Sequence, residues 1–486
     1  MPAAAATVAT GLEPFPPGHQ LALVFAPLGS RVFREYDIRG HAERELGDAF
    51  VERVGRALAE FLRPDGAKRP PRVAVGRDCR LSGPRVFGAL TAGLVAGGAE
   101  VLDVGVGPTP KLYFAVHHLG ADGGVMITAS HNAAEDNGLK IMRGREPFFG
   151  TALEELREVV LGPTLPREPG GSMHTREVDD AYIARVVEGM TPNDGSLGVV
   201  VDAGNGAAGP LGVRALNALG YRPATLFTDM DGSFPNHDPD PTVVKNLTQL
   251  VERVRAERAH VGLAWDGDGD RLGVVDRTGD IVWGDRLLAL FARGVLEQNP
   301  GAAVIGDVKC SQSLFDEVTR RGGRAIMWKS GHSAIKSKMK ESHAALAGEM
   351  SGHFFFADRY FGYDDGIYAA LRLLEIINRT GRTVLEELGD FPQTFHTPEI
   401  RLDCPDALKF EVVERVLERL ERTGRINTLD GVRVTYEDGA WSLVRASNTG
   451  PLIVLRFEAP SAARLSAIRA EVEALVAEAR AASGAA

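Results

Sequence analysis

Asp266-Gly267-Asp268-Gly269-Asp270-Arg271 places three carboxylates and a guanidinium within six positions. Alternating aspartates with glycines turns the carboxylates toward a common side and lets the backbone bend tightly around what they hold. Converging carboxylates repel one another unless a hard cation lies between them. An all-oxygen ligand set favours Mg2+, Mn2+ or Ca2+ over Zn2+. A solvated acidic turn has the same composition. An EF-hand loop is excluded by position: counted from Asp266, the sixth residue should be Gly and is Arg271, and the twelfth should be Glu and is Arg277. An arginine touching such a loop suits an anion bridging the two, because its fork geometry matches phosphate oxygens. The chemistry implied is a metal-assisted phosphate site.

Three other loops carry polar groups. Thr128-Ala129-Ser130-His131-Asn132 follows the apolar Val125-Met126-Ile127, so Ser130 is a candidate nucleophile or phosphate carrier. There is no G-x-S-x-G elbow here, and His131 is adjacent in sequence, where a base is rarely well placed, so a Ser-His-Asp hydrolase is disfavoured. Gly348-Glu349-Met350-Ser351-Gly352-His353 combines carboxylate, hydroxyl and imidazole, a set suited to a polyhydroxylated ligand and to proton transfer. Arg445-Ala446-Ser447-Asn448-Thr449-Gly450 offers a guanidinium, hydroxyls, an amide and turn N–H groups, a phosphate cradle. Taken singly, each is more often a capped turn. Their presence in one chain with the metal loop points to phosphate chemistry.

These loops need strands behind them. Val261-Gly262-Leu263-Ala264-Trp265 predicts a buried strand whose carboxyl end carries the metal loop, where ligands gather in open α/β sheets. Three segments share a pattern of apolar strand, terminal Asp, polar turn and helix: Arg72–Asp78, Gly198–Asp202 and Ala302–Asp307. The spacing of roughly a hundred residues is too long for a solenoid and suits repeated domains. After these comes a different region. His396–Leu402 predicts a strand, Asp406–Leu420 a helix, Val432–Glu437, Ala440–Arg445 and Leu452–Phe457 three strands, and Ala462–Ala482 a closing helix, an α+β unit. Gly162–Gly171 and Gly389–Pro392 are linker-like.

The chain has 486 residues, more than one core holds, so several domains are expected. A net charge of −10 argues against broad nucleic-acid or anionic-membrane binding, so an anionic ligand needs a local basic pocket. Cys79, Cys310 and Cys404 are too scattered for a disulfide framework or a zinc site. The first thirty residues lack Lys and Arg and hold no apolar run long enough to span a bilayer, so residues 1–28 are expected to be a flexible extension before a cytoplasmic enzyme.

The motifs together resemble the α-D-phosphohexomutase family, most closely its phosphomannomutase/phosphoglucomutase branch. Phe33-Arg34-Glu35-Tyr36-Asp37-Ile38-Arg39-Gly40, the Thr128–Lys140 serine loop, the 266–271 metal loop, Lys329-Ser330-Gly331-His332-Ser333, the 348–353 loop and the 445–450 loop agree with it in order and spacing. Departures are small: Ala129 stands where Gly is common, Ala133–Asp136 replaces a Pro-containing stretch, and Trp265 replaces a more usual Phe.

The resemblance implies three related α/β domains (29–168, 169–279 and 280–391) and an α+β domain (392–486) around a central cleft. It implies reversible interconversion of hexose 1- and 6-phosphates, of mannose and/or glucose, through a phosphoserine on Ser130 and a hexose 1,6-bisphosphate, which also serves as activator. Mg2+ would sit on Asp266, Asp268 and Asp270 with a phosphoserine oxygen completing the shell. Arg271 and Lys140 would stabilise charge, and Glu349 and Ser351 would read sugar hydroxyls 3 and 4. Arg445, Ser447, Asn448 and Thr449 would grip the phosphate that is not reacting. Tyr36, Lys309 and His332 would line the cleft, Arg39 would stabilise charge, and His353 is the expected proton carrier. Phosphoglucosamine mutase and a sugar-phosphate phosphatase are the rival activities. A monomer or dimer with sugar phosphates as its partners is expected, with no nucleic acid and no membrane.

Overall fold

The computed structural model describes residues 32–165, 167–420, 424–448 and 450–485. The expected extension 1–28 and Thr449 lie outside the described residues. No described helix is long and apolar enough to cross a membrane.

Four sheets follow one another along the chain. The first contains β1 (Ile38–His41), β2 (Arg72–Arg77), β3 (Glu100–Val106), β4 (Gly123–Ile127), β5 (Asp136–Arg143), β6 (Glu146–Pro147) and β7 (Ser172–Thr175). The second contains β8 (Val199–Asp202), β9 (Ala224–Leu226), β10 (Val261–Trp265), β11 (Leu272–Asp276) and β12 (Ile281–Val282). The third contains β13 (Ala303–Asp307), β14 (Arg324–Trp328), β15 (Leu346–Gly348) and β16 (Phe354–Phe356). The fourth contains β17 (Phe395–His396), β18 (Ile400–Asp403), β19 (Arg425–Asn427), β20 (Val432–Thr435), β21 (Trp441–Ala446) and β22 (Leu452–Ala459).

The first three sheets share one plan. Their orders contain β5-β4-β2-β3, β11-β10-β8-β9 and β16-β15-β13-β14. In each, a central strand pairs in parallel with two neighbours, and one of those turns back into an antiparallel partner. The central strands are the three Asp-terminated segments seen in the sequence, so the repeat is structural. Their apolar runs are buried, as strands covered on both faces must be. The fourth sheet is wholly antiparallel and packs against the helices Lys409–Leu420 and Ala462–Ala482, the α+β unit expected.

This plan places the chemistry. The serine loop joins β4 to β5, the metal loop joins β10 to β11, and the Glu349–His353 loop joins β15 to β16. Three loops with different chemistry thus occupy the same topological position in three related sheets. Ser447 and Asn448 follow the end of β21, ahead of β22.

Two expectations need correction. The strand predicted over His396–Leu402 is two strands, β17 and β18, parted at Thr397–Glu399. Pro398 has no N–H to give to a ladder, and the parted residues line the central cavity instead. The 168/169 boundary falls inside the first sheet, because β7 returns to pair in parallel with β3.

One apolar core runs from β3 and the helix Thr109–His118 through the second and third sheets to Phe391, tying the α/β units together. The C-terminal unit has its own core. It also docks through buried arginines. Arg433 donates to the carbonyls of Val308 and Cys310, and Arg456 donates to that of Lys309 and to Asp285 at 3.0 Å.

Candidate active site

Ser130 lies in the left-handed region with φ 52, rare for a residue with a side chain. Its hydroxyl donates to Asp266 Oδ2 at 2.8 Å, so serine and metal loops meet. Gly267 permits this approach, since a Cβ there would lie 2.3 Å from the Ser130 carbonyl oxygen. Ser130 O cannot retreat, because Arg80 Nη2 donates to it at 2.8 Å. Gly267→Ala is therefore expected to push the loops apart, costing about 1–3 kcal/mol as overpacking does and lowering kcat on the order of 100-fold. Thermal melts and steady-state kinetics measure both, and unchanged values in each would refute the contact.

His131 is closer to the serine than adjacency suggested. Its Nδ1 lies 3.2 Å from Ser130 Oγ and its Nε2 lies 4.0 Å from Asp240. The bend at positive φ swings the neighbouring side chain back toward the hydroxyl. Burial, then Arg271 and Arg39, hold its pKa well below the usual imidazole value, so the ring is neutral.

Asp266, Asp268 and Asp270 are fully buried, with oxygens within 4.8 Å of one another. Lys140 reaches them from β5, its Nζ 2.6 Å from both Asp268 Oδ2 and Asp270 Oδ2. Thr109 Oγ1 donates to Asp268 at 2.5 Å. Burial, then the charges of Asp270 and Asp268, push Asp266 well above the usual carboxylate range. Burial acts on Asp268 in the same sense, but Lys140 outweighs it and holds that carboxyl below the usual range. Asp268 Oδ1 and Asp270 Oδ1 are buried and have no hydrogen-bond partner among the described residues. Orphaned, charged, converging oxygens fit a hard divalent cation.

The metal loop also touches the loop after β15. Leu272 N donates to Gly352 O at 2.9 Å, and Arg271 Nε donates to His353 Nε2 at 3.0 Å. Arg271 Nε also lies 3.7 Å from Asp266. With Nε2 accepting, the ring N–H of His353 is on Nδ1, which lies 3.1 Å from Asp364 Oδ2. Lys336 pairs with the other Asp364 oxygen at 2.9 Å. His332 stacks beside His353, ring centroids 5.8 Å apart.

Glu349 is buried and accepts from Gly331 N at 2.7 Å, and burial raises its pKa. Lys309 pairs with Glu399 at 3.3 Å. Arg445 is held by Asp430 through contacts of 3.1 and 3.3 Å, and Asp430 also accepts from Ser330 N at 3.0 Å. Tyr36 joins three units, donating to Ser330 O at 2.8 Å and accepting from Asn448 Nδ2 at 2.9 Å.

One cavity of about 490 Å3 is lined by Tyr36, Arg39, Ser130, Lys140, Arg271, Lys309, His332, Glu349, Ser351, His353, Arg445, Ser447 and Asn448. Asp266, Asp268 and Asp270 lie just beneath, reached through Ser130, Lys140 and Arg271. All described candidates thus gather in one place. Two of them also brace the loops around them. Arg39 binds Asp37, Ala129 O and Asn132 Oδ1, bracing the serine loop. Lys140 binds metal-loop carboxylates.

Sequence reasoning missed Thr109, Asp364, Glu399 and Arg80. A Pro-broken strand was the available signal for Glu399, and an Arg two residues after a strand-terminal Asp for Arg80. Thr109 and Asp364 carried none.

Models of four successive phosphoglucomutase/phosphomannomutase domains match this chain: alpha/beta/alpha domain I over residues 30–158, domain II over 180–279, domain III over 283–395 and the C-terminal domain over 399–475. A phosphomannomutase/phosphoglucomutase of Pseudomonas putida is 46% identical over 450 residues, 92% of this chain and 96% of that protein. A phosphoglucomutase of Neisseria gonorrhoeae is 42% identical over 449 residues, 92% of this chain and 96% of that one. The crystal structure of a phosphoglucomutase/phosphomannomutase family protein from Burkholderia thailandensis matches with a TM-score of 0.85 at 41% identity, covering 92% of this chain and 97% of that one.

Proposed function

The chain belongs to the phosphoglucomutase/phosphomannomutase family and is a phosphohexomutase, and we propose that it carries the transferred phosphoryl group on Ser130 and acts on both glucose and mannose phosphates. The observation that carries this reading is the Ser130–Asp266 contact, which sets the serine hydroxyl against a buried, converging carboxylate cluster at the wall of the cavity.

Asp266, Asp268 and Asp270 would hold Mg2+, with a phosphoserine oxygen at Ser130 completing the shell. When bound, the ion neutralises charge on the transferring phosphoryl group. The protein's share is positioning. A sugar hydroxyl attacks the phosphorus on Ser130, the bond from phosphorus to Ser130 Oγ breaks, and the hexose 1,6-bisphosphate forms. The hydroxyl's proton passes to His353 Nε2, released when Arg271 turns to the phosphate oxygens, and Asp364 stabilises the imidazolium from Nδ1. Ser130 Oγ leaves between Asp266 and His131, its polar neighbours, and takes up a proton as His353 gives up the one it received, so the step ends with the serine hydroxyl and the imidazole restored. The bisphosphate then returns its other phosphate to the serine, so added bisphosphate activates the enzyme.

Arg445, Ser447, Asn448 and, by its place in the same motif, Thr449 would grip the phosphate that is not reacting, with Lys309 beside them. Holding the far end of the sugar makes attack effectively intramolecular. Glu349 and Ser351 would bind hydroxyls 3 and 4, shared by glucose and mannose, leaving the C2 configuration unread.

Incubation with glucose 1,6-bisphosphate is expected to add one phosphate at Ser130, read by intact mass and peptide mapping. Glucose and mannose 1-phosphates are expected to turn over with kcat/KM within about tenfold of each other, a gap no larger than one unread hydroxyl would set. A large preference for glucosamine 1-phosphate would overturn the sugar assignment.

A further inference from the structure

Ser130 is one of six non-glycine residues with positive φ among those described, and such a conformation persists only where its surroundings over-determine it. Here both backbone polar groups of the residue are tied to one buried ion pair. Ser130 N donates to Thr128 Oγ1 at 2.9 Å, and Thr128 Oγ1 donates to Asp78 Oδ2 at 2.7 Å. Asp78 Oδ2 also accepts from Arg80 Nε at 3.2 Å. Arg80 Nη2 closes the ring by donating to Ser130 O at 2.8 Å and to Asn132 O at 2.7 Å. Its Nη1 donates to Ala133 O at 2.5 Å and Asp136 O at 2.9 Å. One guanidinium therefore binds three carbonyls of the serine loop and that of the first residue of β5.

The group is sealed from solvent and ligand alike. The Arg80 side chain has 0% exposure, and Arg80, Asp78 and Thr128 are not among the residues lining the cavity. Phe234, from a loop of the second unit, covers the guanidinium at 5.2 Å. A loop needing only a cap would leave the serine's own N–H and C=O to different partners. This arrangement fixes both ends of one residue through a shared carboxylate.

We propose that Arg80, with Asp78 and Thr128, is a positioning device that holds the left-handed backbone of Ser130 and so aims Oγ along the line of phosphoryl transfer. The inference rests on the reading of Ser130 as the phosphoryl carrier. The aim of Oγ is set by the backbone because a serine side chain has only one heavy-atom torsion. A misplacement of about 1 Å costs on the order of 100-fold in rate.

The test compares the parent with Arg80→Lys, Thr128→Val and the double variant, each checked for folding by circular dichroism. Phosphorylation of Ser130 by glucose 1,6-bisphosphate is timed by intact mass, and kcat and KM are measured for glucose 1-phosphate. Each single variant is expected to lose about 100-fold in phosphorylation rate and kcat, with KM within about threefold of the parent, because the groups gripping the sugar phosphate are untouched. The double variant is expected to lose no more than the slower single, because both changes release the same backbone unit. Losses that multiply, or a kcat within about threefold of the parent in a folded variant, would overturn the proposal. If Arg80→Lys yields no folded protein, the near-isosteric Thr128→Val decides alone by the same criterion. A parent that gains no phosphate on Ser130 refutes the carrier reading, whereas variants labelled at the parent's rate refute only the clamp.

Discussion

Ser130→Ala is expected to abolish mutase turnover, lowering kcat on the order of 10^4-fold or more, the scale seen when an enzyme's nucleophile is removed. The loss should lie almost wholly in kcat. The groups expected to bind the sugar phosphate, Lys309, Glu349, Arg445 and Asn448, are held by Glu399, Gly331, Asp430 and Tyr36 respectively, without involving the serine hydroxyl. Calorimetric binding of glucose 6-phosphate should therefore stay within a few-fold of the parent. The substitution removes one hydrogen bond to a buried carboxylate, that to Asp266, worth about 1.5–3 kcal/mol in comparable cases. Much of this is offset where a cation takes up the carboxylate. Intact mass after incubation with glucose 1,6-bisphosphate should show no added phosphate. Turnover comparable to the parent's would exclude Ser130 as carrier, and a phosphate still gained would place it on another residue.

The loops were legible because their composition is local. Three aspartates alternating with glycines must converge or repel, whatever surrounds them, and a terminal Asp after a buried apolar run marks a strand's carboxyl end. The repeat was legible as a pattern but not as a plan. That β4–β5, β10–β11 and β15–β16 carry the serine, metal and sugar loops at equivalent positions depends on strand order, which no single segment encodes. Partners distant in sequence were beyond reach for the same reason. Tyr36 and Asn448 are 412 positions apart, and nothing local to Lys140 says that its ammonium ends between Asp268 and Asp270 rather than on a phosphate. The broken strand at Pro398 was misread because β-branched and apolar neighbours outweighed one missing N–H in the pattern. In the fold that missing N–H parts β17 from β18 and leaves Glu399 facing Lys309.

Lys140→Met is the second large effect expected, and it separates stability from catalysis. The ammonium lies 2.6 Å from carboxylates of both Asp268 and Asp270, and all three groups are buried. Methionine keeps much of the length and volume but none of the charge. The cluster is then left with three carboxylates, with Arg271 3.7 Å from Asp266 and the more distant charge of Arg39 acting on Asp268 to balance them. Breaking a buried pair by removing one partner costs about 3–5 kcal/mol, because the survivor stays buried and uncompensated. Uptake of a proton by Asp266, already favoured by burial, relieves one charge of the three and moves the loss toward the lower end of that range. A divalent cation offers fuller relief, since it binds the folded cluster and not the unfolded chain. The metal-free variant should therefore unfold at lower urea than the parent, and millimolar Mg2+ should recover more stability in the variant than in the parent, where Lys140 competes for the same oxygens. Catalysis should not recover with it. At saturating Mg2+, kcat is expected to remain about 10^2- to 10^3-fold down, the usual loss when a preorganised group facing developing charge is removed. Urea titrations with and without Mg2+, beside kcat at saturating metal, measure the two effects. A variant as stable as the parent without metal would mean that the carboxylates are not held ionised by Lys140, and full activity with Mg2+ would confine the lysine to structure.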